Sequence, residues 1–377
     1  MVTAELAESL SPQDFLRELD GVNACAPMVR YGKLPFRQLV SQYETHLVWS
    51  PMMLAAEFSR SAIARDSDFS TNCTERGIFY LPSRHAGPPV AEWDDSPERR
   101  GIHTNSFARQ KRMRKVRGKL IIQFAANDPV QLADAAELAK PYVDGIDLNC
   151  GCPQKWAYQE GIGCALLRKP ELVHDLVRTT KQRLGWDFPV CVKIRVDPDP
   201  SQTNELVSRI IASGADVLTI HGRTRHQSSA GHPVNLDAIT FAASCAKGGV
   251  PVVANGDVFT KQDAVEMREK CGVQGAMSAR GLLANPALFA GYDKTPLSAV
   301  QSFLHHSTSL GLIFPLFHRH VSYMLESRFS TRYERVLFNS LPSYAAVMDW
   351  LEERGMVELG GGVGGTGLEK PLSSVAI

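Results

Sequence analysis

The sequence predicts a (β/α)₈ barrel followed by a small all-helical domain. Three observations carry this. About eight short apolar runs, each followed by a stretch with helical spacing, alternate between Val22 and Tyr292. Those runs are apolar almost throughout, as parallel strands buried on both faces must be. From Thr295 onward the strand signal stops and only helical patterns remain. An open doubly wound sheet competes with the barrel, but no GxGxxG follows the first strand. The chain has 377 residues, 44% hydrophobic and 21% charged. That is room for a barrel of about 250 residues and a smaller unit.

In order, residues 1–21 read as a lead-in with a short helix or none. Val22–Val29 is the first strand, ended by Pro27, and Lys33–Tyr43 is helical. His46–Met52 and Leu54–Ala64 repeat the plan. The segment 72–118 departs from it, with proline, glycine, charge and little periodicity. Lys119–Phe124 then reads as strand and Pro129–Lys140 as helix, with proline at its first turn. Gly145–Asn149 is strand and Pro170–Leu184 helix. Three further pairs follow: Pro189–Val196 with Ser201–Ala212, Ala215–Ile220 with Asn235–Ala246, and Val250–Ala254 with Thr260–Lys270. Thr260 reads as an N-cap. Gly275–Ala279 is the last strand, with a short helix at Pro286. Helices are expected at Leu297–Leu310, Pro315–Ser327, Thr331–Leu341 and Tyr344–Arg354. The expected organisation is lead-in 1–21, barrel 22–292 with an insert at about 72–118, helical domain 293–358, and a Gly/Ser-rich disordered tail 359–377.

Composition excludes several classes. The formal net charge of +1 gives no global field for nucleic acid, so such binding must use local patches. The eight cysteines are scattered without a CxxC, which indicates neither a zinc ribbon nor a disulfide framework, and no metal site is expected. Free thiols suit a reducing compartment. The acidic start lacks the pattern of a secretory signal, and no run approaches a membrane span of roughly 18 apolar residues. A cytoplasmic location is expected, or a nuclear one; oligomeric state is open, a monomer included.

Polar residues of the barrel fall at strand ends. Pro27 and Met28 end the first strand and Gln123 the third. Asn149 and Cys152 follow the fourth, within Asp147-Leu148-Asn149-Cys150-Gly151-Cys152-Pro153. Lys193 and Arg195 close the fifth. His221-Gly222-Arg223-Thr224 follows the sixth, Asn255-Gly256-Asp257 the seventh, and Ala279-Arg280-Gly281 the eighth. In a parallel barrel these C-terminal ends share one rim, where chemistry is done. Singly, each has a plainer reading: Asn255-Gly256 as a turn, Lys193 as a solvated strand end, His221 as a hydrogen-bonded rim histidine, Cys152 as a small buried apolar residue. Jointly they describe a site. Loops after the last two strands hold phosphate in many such barrels; Gly256 and Gly281 allow close backbone approach and Arg280 adds charge. A phosphate there and a lysine at mid-rim suit flavin mononucleotide, whose pyrimidine edge gains negative charge on reduction.

These stretches resemble a family. NCGCPQ with EGIGCALL, together with APMV, IIQFAAND, VKIR, HGRTR, VVANGDV and SARGLLANP, is similar in order and spacing to the tRNA-dihydrouridine synthases. The pattern most resembles the eukaryotic branch acting on D-loop uridines 20a and 20b. The resemblance implies an FMN-dependent barrel, reduced by NADPH or NADH, with a helical tRNA-binding domain. It implies that hydride passes to C6 of a tRNA uracil while Cys152 protonates C5. It carries FMN contacts to Pro27, Met28, Gln123, Lys193, His221, Asn255, Gly256, Asp257, Ala279 and Arg280. It places Asn149 and Arg195 near the substrate base. A thiol of ordinary pKa about 8.5 is mostly protonated at pH 7, as an acid must be. A stacked base would have to be extruded to reach it.

Two regions stand apart. Segment 72–118 ends in a basic run that continues to the next strand: Arg109, Lys111, Arg112, Arg114, Lys115, Arg117 and Lys119. It reads as an RNA-contacting loop, a solvated disordered loop, or sequence retained by a gene-model error. The helical domain carries His318, Arg319, His320, Arg328, Arg332 and Arg335, expected to contact RNA. The alternative function is a flavin barrel acting on a free pyrimidine. A catalytically dead RNA-binding barrel is disfavoured by the presence of Cys152, Lys193 and His221.

Overall fold

A computed structural model describes residues 6–85 and 112–358. The barrel strands are β1 (Val22–Cys25), β2 (Leu47–Leu54), β5 (Lys119–Ala125), β6 (Gly145–Cys150), β7 (Val190–Arg195), β8 (Val217–His221), β9 (Val252–Asn255) and β10 (Gly275–Ser278). All are parallel, and β1 pairs with β10 through Val22 to Gly275, which closes the sheet. The eight predicted units are therefore present as an eight-stranded barrel. Its helices include α2 (Leu34–Val40), α5 (Pro129–Ala139), α7 (Pro170–Leu184), α8 (Pro200–Ala212), α9 (Leu236–Cys245) and α10 (Lys261–Cys271). Each of α2, α5, α7 and α8 has proline in its first turn, where a missing N–H costs nothing.

Two elements differ from expectation. The predicted helix Leu54–Ala64 is two, α3 (Ala55–Arg60) and α4 (Ala62–Asp68), because extended Ser61 ends one and caps the other through its hydroxyl. The helix after the last strand, α11 (Arg280–Ala284), starts six residues before Pro286, directly against the strand end.

Strand alternation sorts the barrel interior. Val22, Leu47, Trp49, Ile121, Cys191, Val217, Val253 and Met277 form one apolar cluster inside, while Val48, Ile122, Leu148, Val192, Leu218 and Ala254 pack outward beneath the helices. Two residues further along the same inward faces come Gln123, Lys193, Thr219 and Asn255. The interior is apolar at the N-terminal end and polar at the other.

The apolar end is closed by the lead-in and by part of segment 72–118. α1 (Pro12–Glu18) is capped by Ser11, and its Phe15 and Leu16 join the interior cluster. β3 (Ile78–Pro82) and β4 (Met113–Arg117) form an antiparallel pair that adds Phe79, Leu81 and Val116. Glu8 extends this pair by hydrogen bonds to Lys115 O and from Arg117 N, 2.9 and 3.0 Å. Buried Arg37 anchors the segment through Glu75 Oε2 at 2.6 Å.

Five of the seven residues of the basic run are described, and their place is fixed by the β3–β4 pair. Arg114 pairs with Glu8 and Glu18, and Lys119 is buried in β5, where it donates to Ser9 Oγ at 2.9 Å. The described part of the run lies on and beside β4, at the mouth opposite the polar rim, so these charges do not border the site. Arg109 and Lys111 lie outside the described residues.

The C-terminal helices are α12 (Leu297–Ser309), α13 (Phe314–Met324), α14 (Arg332–Asn339) and α15 (Tyr344–Glu352). Their apolar faces continue the barrel's outer core through Phe303, Phe317, Phe338 and Leu351. His320 stacks on Phe36 of α2 at 4.7 Å and bonds Tyr31 O at 3.1 Å, and burial pulls it down to about 3. His318 bonds Phe338 O, Arg328 donates to Thr295 O, and Arg335 pairs with Glu326. Of the six basic residues expected to meet RNA, these four are engaged in holding the helices together. Arg319 lies over the Tyr323 ring at 4.9 Å, and Arg332 is exposed.

Candidate functional site

The strand register brings the predicted residues to one rim. Asn149 is level with Lys193, Arg195 with His221, and His221 with Asn255. Met28 is buried in the loop after β1, and its carbonyl accepts from Gly32 N at 2.9 Å. Pro27 lies beside it, half-buried.

A cleft of about 470 Å³ opens between the ends of β8, β9 and β10, lined by His221, Asn255, Gly256, Asp257, Ala279 and Arg280 among others. Its backbone is packed tightly. A Cβ on Gly281 would sit 2.1 Å from Val258 O, and one on Gly256, at φ +138°, 2.5 Å from Val234 Cγ2. Charge in the cleft is unbalanced. Arg223 and Arg280 both pair with Asp257, the latter at 2.6 Å, so one carboxylate faces two guanidiniums, with Arg195 close by. Burial alone would raise the Asp257 carboxyl; hydrogen bonds from Arg223 and Val234 N, with the charge of Arg280, hold it below its usual range.

His221 feels the same cations. Burial first, then Lys193, Arg195, Arg223 and Arg280, push it down to about 2, so it is neutral. Arg223 Nη1 lies 3.2 Å from His221 Nε2, and a guanidinium can only donate. Nε2 is therefore the acceptor, and the ring's proton is on Nδ1.

Beneath the rim runs a chain of hydrogen bonds. Gln123 Nε2 donates to Asp147 Oδ2 at 2.7 Å, and Gln123 Oε1 accepts from Asn149 Nδ2 at 2.8 Å. Asn149 Oδ1 accepts from Gly151 N at 3.1 Å and Cys152 N at 2.9 Å. Backbone N–H groups only donate, so Gly151 and Cys152 fix the direction of both amides, with Asp147 as the final acceptor. The outcome is that Asn149 shapes the turn carrying Cys152. The turn is closed from its other side by Gly163 at φ +62°, where a Cβ would lie 2.8 Å from Cys152 O. That explains the second glycine of EGIGCALL. Arg195 braces the same turn: its Nε donates to Gly151 O and its Nη1 to Thr224 O, each at 2.9 Å.

Asp147 was missed in the sequence, though it shares the inward face with Asn149 at a spacing of two. It is fully buried, and its Oδ1 has no hydrogen-bond partner among the described residues. Burial pushes its carboxyl well up, opposed by the Gln123 hydrogen bond and by the charge of Lys193. Burial and Arg195 push Lys193 down, opposed by Asp147. No protein acceptor among the described residues reaches the Lys193 amine. Cys152 is half-buried, whereas Cys150 is fully buried with its thiol pushed up by burial, which supports reading Cys150 as structural. Among the described residues no group of His, Cys, Asp and Glu could hold a metal ion.

A thiol loop, a buried amine and a cationic cleft on one barrel rim are thus in place. The sequence pattern of the family described as "Dihydrouridine synthase (Dus)" matches residues 24–81 and 98–346. The chain belongs to the dihydrouridine synthase family. The family pattern leaves out only 82–97 within this span, a narrower stretch than the insert expected at 72–118. Among curated members, a protein of Schizosaccharomyces pombe named tRNA-dihydrouridine(20a/20b) synthase [NAD(P)+] is 46% identical over 336 residues, 89% of this chain and 88% of that protein. A human protein named tRNA-dihydrouridine(20a/20b) synthase [NAD(P)+]-like is 39% identical over 88% of this chain and 90% of its own. A mouse family member named tRNA-dihydrouridine(16/17) synthase [NAD(P)(+)]-like is 31% identical over 90% of this chain and 63% of its own.

Proposed function

We propose that this chain reduces the C5–C6 bond of D-loop uridines in tRNA, at positions 20a and 20b, using bound FMN and NADPH or NADH. The observation that carries the proposal is the shared rim: the Cys152 turn and the cationic cleft beyond β9 and β10 belong to one barrel mouth. The higher identity to relatives named for 20a/20b than to the one named for 16/17 supports the position.

The residues suit FMN on three counts. The cleft has an excess of cations, a neutral His221 with its donor on Nδ1, and backbone at Gly256 and Gly281 that admits no side chain. Lys193, buried without an acceptor, would meet the pyrimidine edge. Gln123, Met28 and Pro27 would border the ring, and Asn255, Asp257, Ala279 and Arg280 would hold the phosphate end. When bound, the flavin supplies hydride, taken from the nicotinamide and delivered to uracil C6.

The protein's own part is to position and to protonate. Cys152 Sγ would give its proton to C5, and Asn149 and Arg195 keep its turn at the rim; both act on the base through that turn. A negative group bound beside Lys193 would raise the amine again and keep it a cation. No helix among the described residues is long and apolar enough to cross a membrane. We place the protein where tRNA matures, in the cytoplasm or nucleus.

The test is the purified chain with NADPH and either unmodified tRNA or free uracil. A flavin spectrum and dihydrouridine at 20a and 20b are expected. A colourless protein, or turnover on free uracil in preference to tRNA, would refute the assignment.

A further inference from the structure

The turn after Cys152 runs into α6 (Lys155–Gln159), a helix of five residues. Its inner face is Ala157, fully buried against Ala125 and Ile162, in a small cluster that Cys152 itself packs on. On its two flanks, either side of Ala157, it presents large aromatic side chains to solvent: Trp156 is 45% exposed and Tyr158 41%. Arg225, from the loop after β8, lies over the Tyr158 ring with its guanidinium carbon 3.2 Å from the centroid. Trp156 makes no ring contact among the described residues. Lys155 beside it is exposed, Glu160 at the helix end is exposed too, and Arg168 is occupied by Asp197.

Folding gains little from an indole left half in water, and its ring can still be covered by a partner. The residues around it favour nucleic acid as that partner. Lys155, Trp156, Tyr158 and Arg225 gather cations and aromatic rings at this one helix, which is the composition that stacks unpaired bases while tracking a phosphate backbone. The surface is continuous with the rim, and Ala157 ties it to the packing of Cys152.

We propose that Trp156 stacks against an unpaired nucleobase next to the target uridine, holding the RNA strand while that uridine is extruded. This rests on the function proposed above. Tyr158, stiffened by Arg225, forms a second flat surface on the same helix. Stacking of this kind is sequence-tolerant and sets affinity rather than the chemical step.

The experiment uses the flavin-loaded full chain with Trp156→Ala and Trp156→Phe. Four quantities are measured: dihydrouridine formation against tRNA concentration, tRNA affinity by anisotropy at fixed salt, flavin reduction by NADPH without tRNA, and thermal midpoint. For Trp156→Ala we expect tRNA KM and Kd to rise roughly 5- to 150-fold. Flavin reduction and thermal midpoint stay as in the wild type, and Trp156→Phe recovers most of the affinity. Unchanged tRNA affinity in Trp156→Ala overturns the stacking role. So does a loss confined to flavin reduction, which would place the nicotinamide there, or a pulled-down protein partner with tRNA affinity intact. Wild-type protein that binds tRNA but makes no dihydrouridine would sink the proposed function and leave the stacking result to be read from affinity alone.

Discussion

Replacing Asn149 tests the polarity of the buried chain from Asp147 to the Cys152 turn. Asn149→Ala removes three hydrogen bonds, at 2.8, 2.9 and 3.1 Å, from a buried position. At about 0.5–1.5 kcal/mol each, with Gln123 Oε1 left unpaired, the cost is about 2–4 kcal/mol. Concentrated in one turn, that lowers its ordered population roughly 30- to 800-fold. Asn149→Asp is the sharper probe. It keeps both acceptors for Gly151 and Cys152 N–H but sets oxygen against Gln123 Oε1. Rotating the Gln123 amide cures that contact only by turning Oε1 onto Asp147. The conflict ends when Asp147 is protonated, and burial has already raised its carboxyl. Asn149→Asp should therefore be impaired above neutral pH and regain activity as pH falls, while Asn149→Ala stays low at every pH. The assay is the rate at which unmodified tRNA reoxidises prereduced enzyme, from pH 5.5 to 8.5. Wild-type rates for Asn149→Asp at pH 8.5, or equal pH profiles for the two variants, would refute the chain's assigned direction.

Three further outcomes follow from packing and charge. Gly281→Ala forces a Cβ to 2.1 Å from Val258 O, so the cleft must open; purified protein should lose most of its flavin, and full retention would contradict the cleft assignment. His320 is held near 3 in the folded state against about 6.5 unfolded, so the unfolded state binds the extra proton as pH falls below 6.5 and stability is lost toward pH 3. Relative to His320→Gln, the wild-type advantage in unfolding free energy should shrink by about 2–3 kcal/mol between pH 7 and 4.5, and a constant difference would show that the imidazole is not neutral in the fold. Arg112→Gln with Arg117→Gln should leave tRNA affinity and its salt slope unchanged, because β4 closes the opposite mouth; a shallower slope would put RNA on that face.

Much of this was legible in the sequence, and the rest was hidden for identifiable reasons. Parallel strands buried on both faces are apolar runs, so each of the eight could be counted, and polar residues such as Lys193 and Asn255 stood out at their ends. The strand Met113–Arg117 did not, because its one buried apolar side chain is Val116 and its arginines look like a solvated run. Arg114 finds Glu8 and Glu18 about a hundred residues away, a pairing no local pattern encodes. His320 reads as a surface cation until Phe36, far earlier in the chain, covers it. Asn149 and Arg195 carry the right polarity for a base contact, yet the structure spends their hydrogen bonds on the turn. Asp147 could have been found by counting in twos from Asn149.

In the proposed reaction Cys152 delivers the proton that completes reduction of a tRNA uracil. Stopped-flow measurement of Cys152→Ala, first reduced with NADPH and then mixed with unmodified tRNA, tests it directly. The variant should bind flavin and be reduced like the wild type, while tRNA-triggered reoxidation slows about 100- to 10,000-fold. Reoxidation at the wild-type rate, with normal dihydrouridine, would show that the acid is another group.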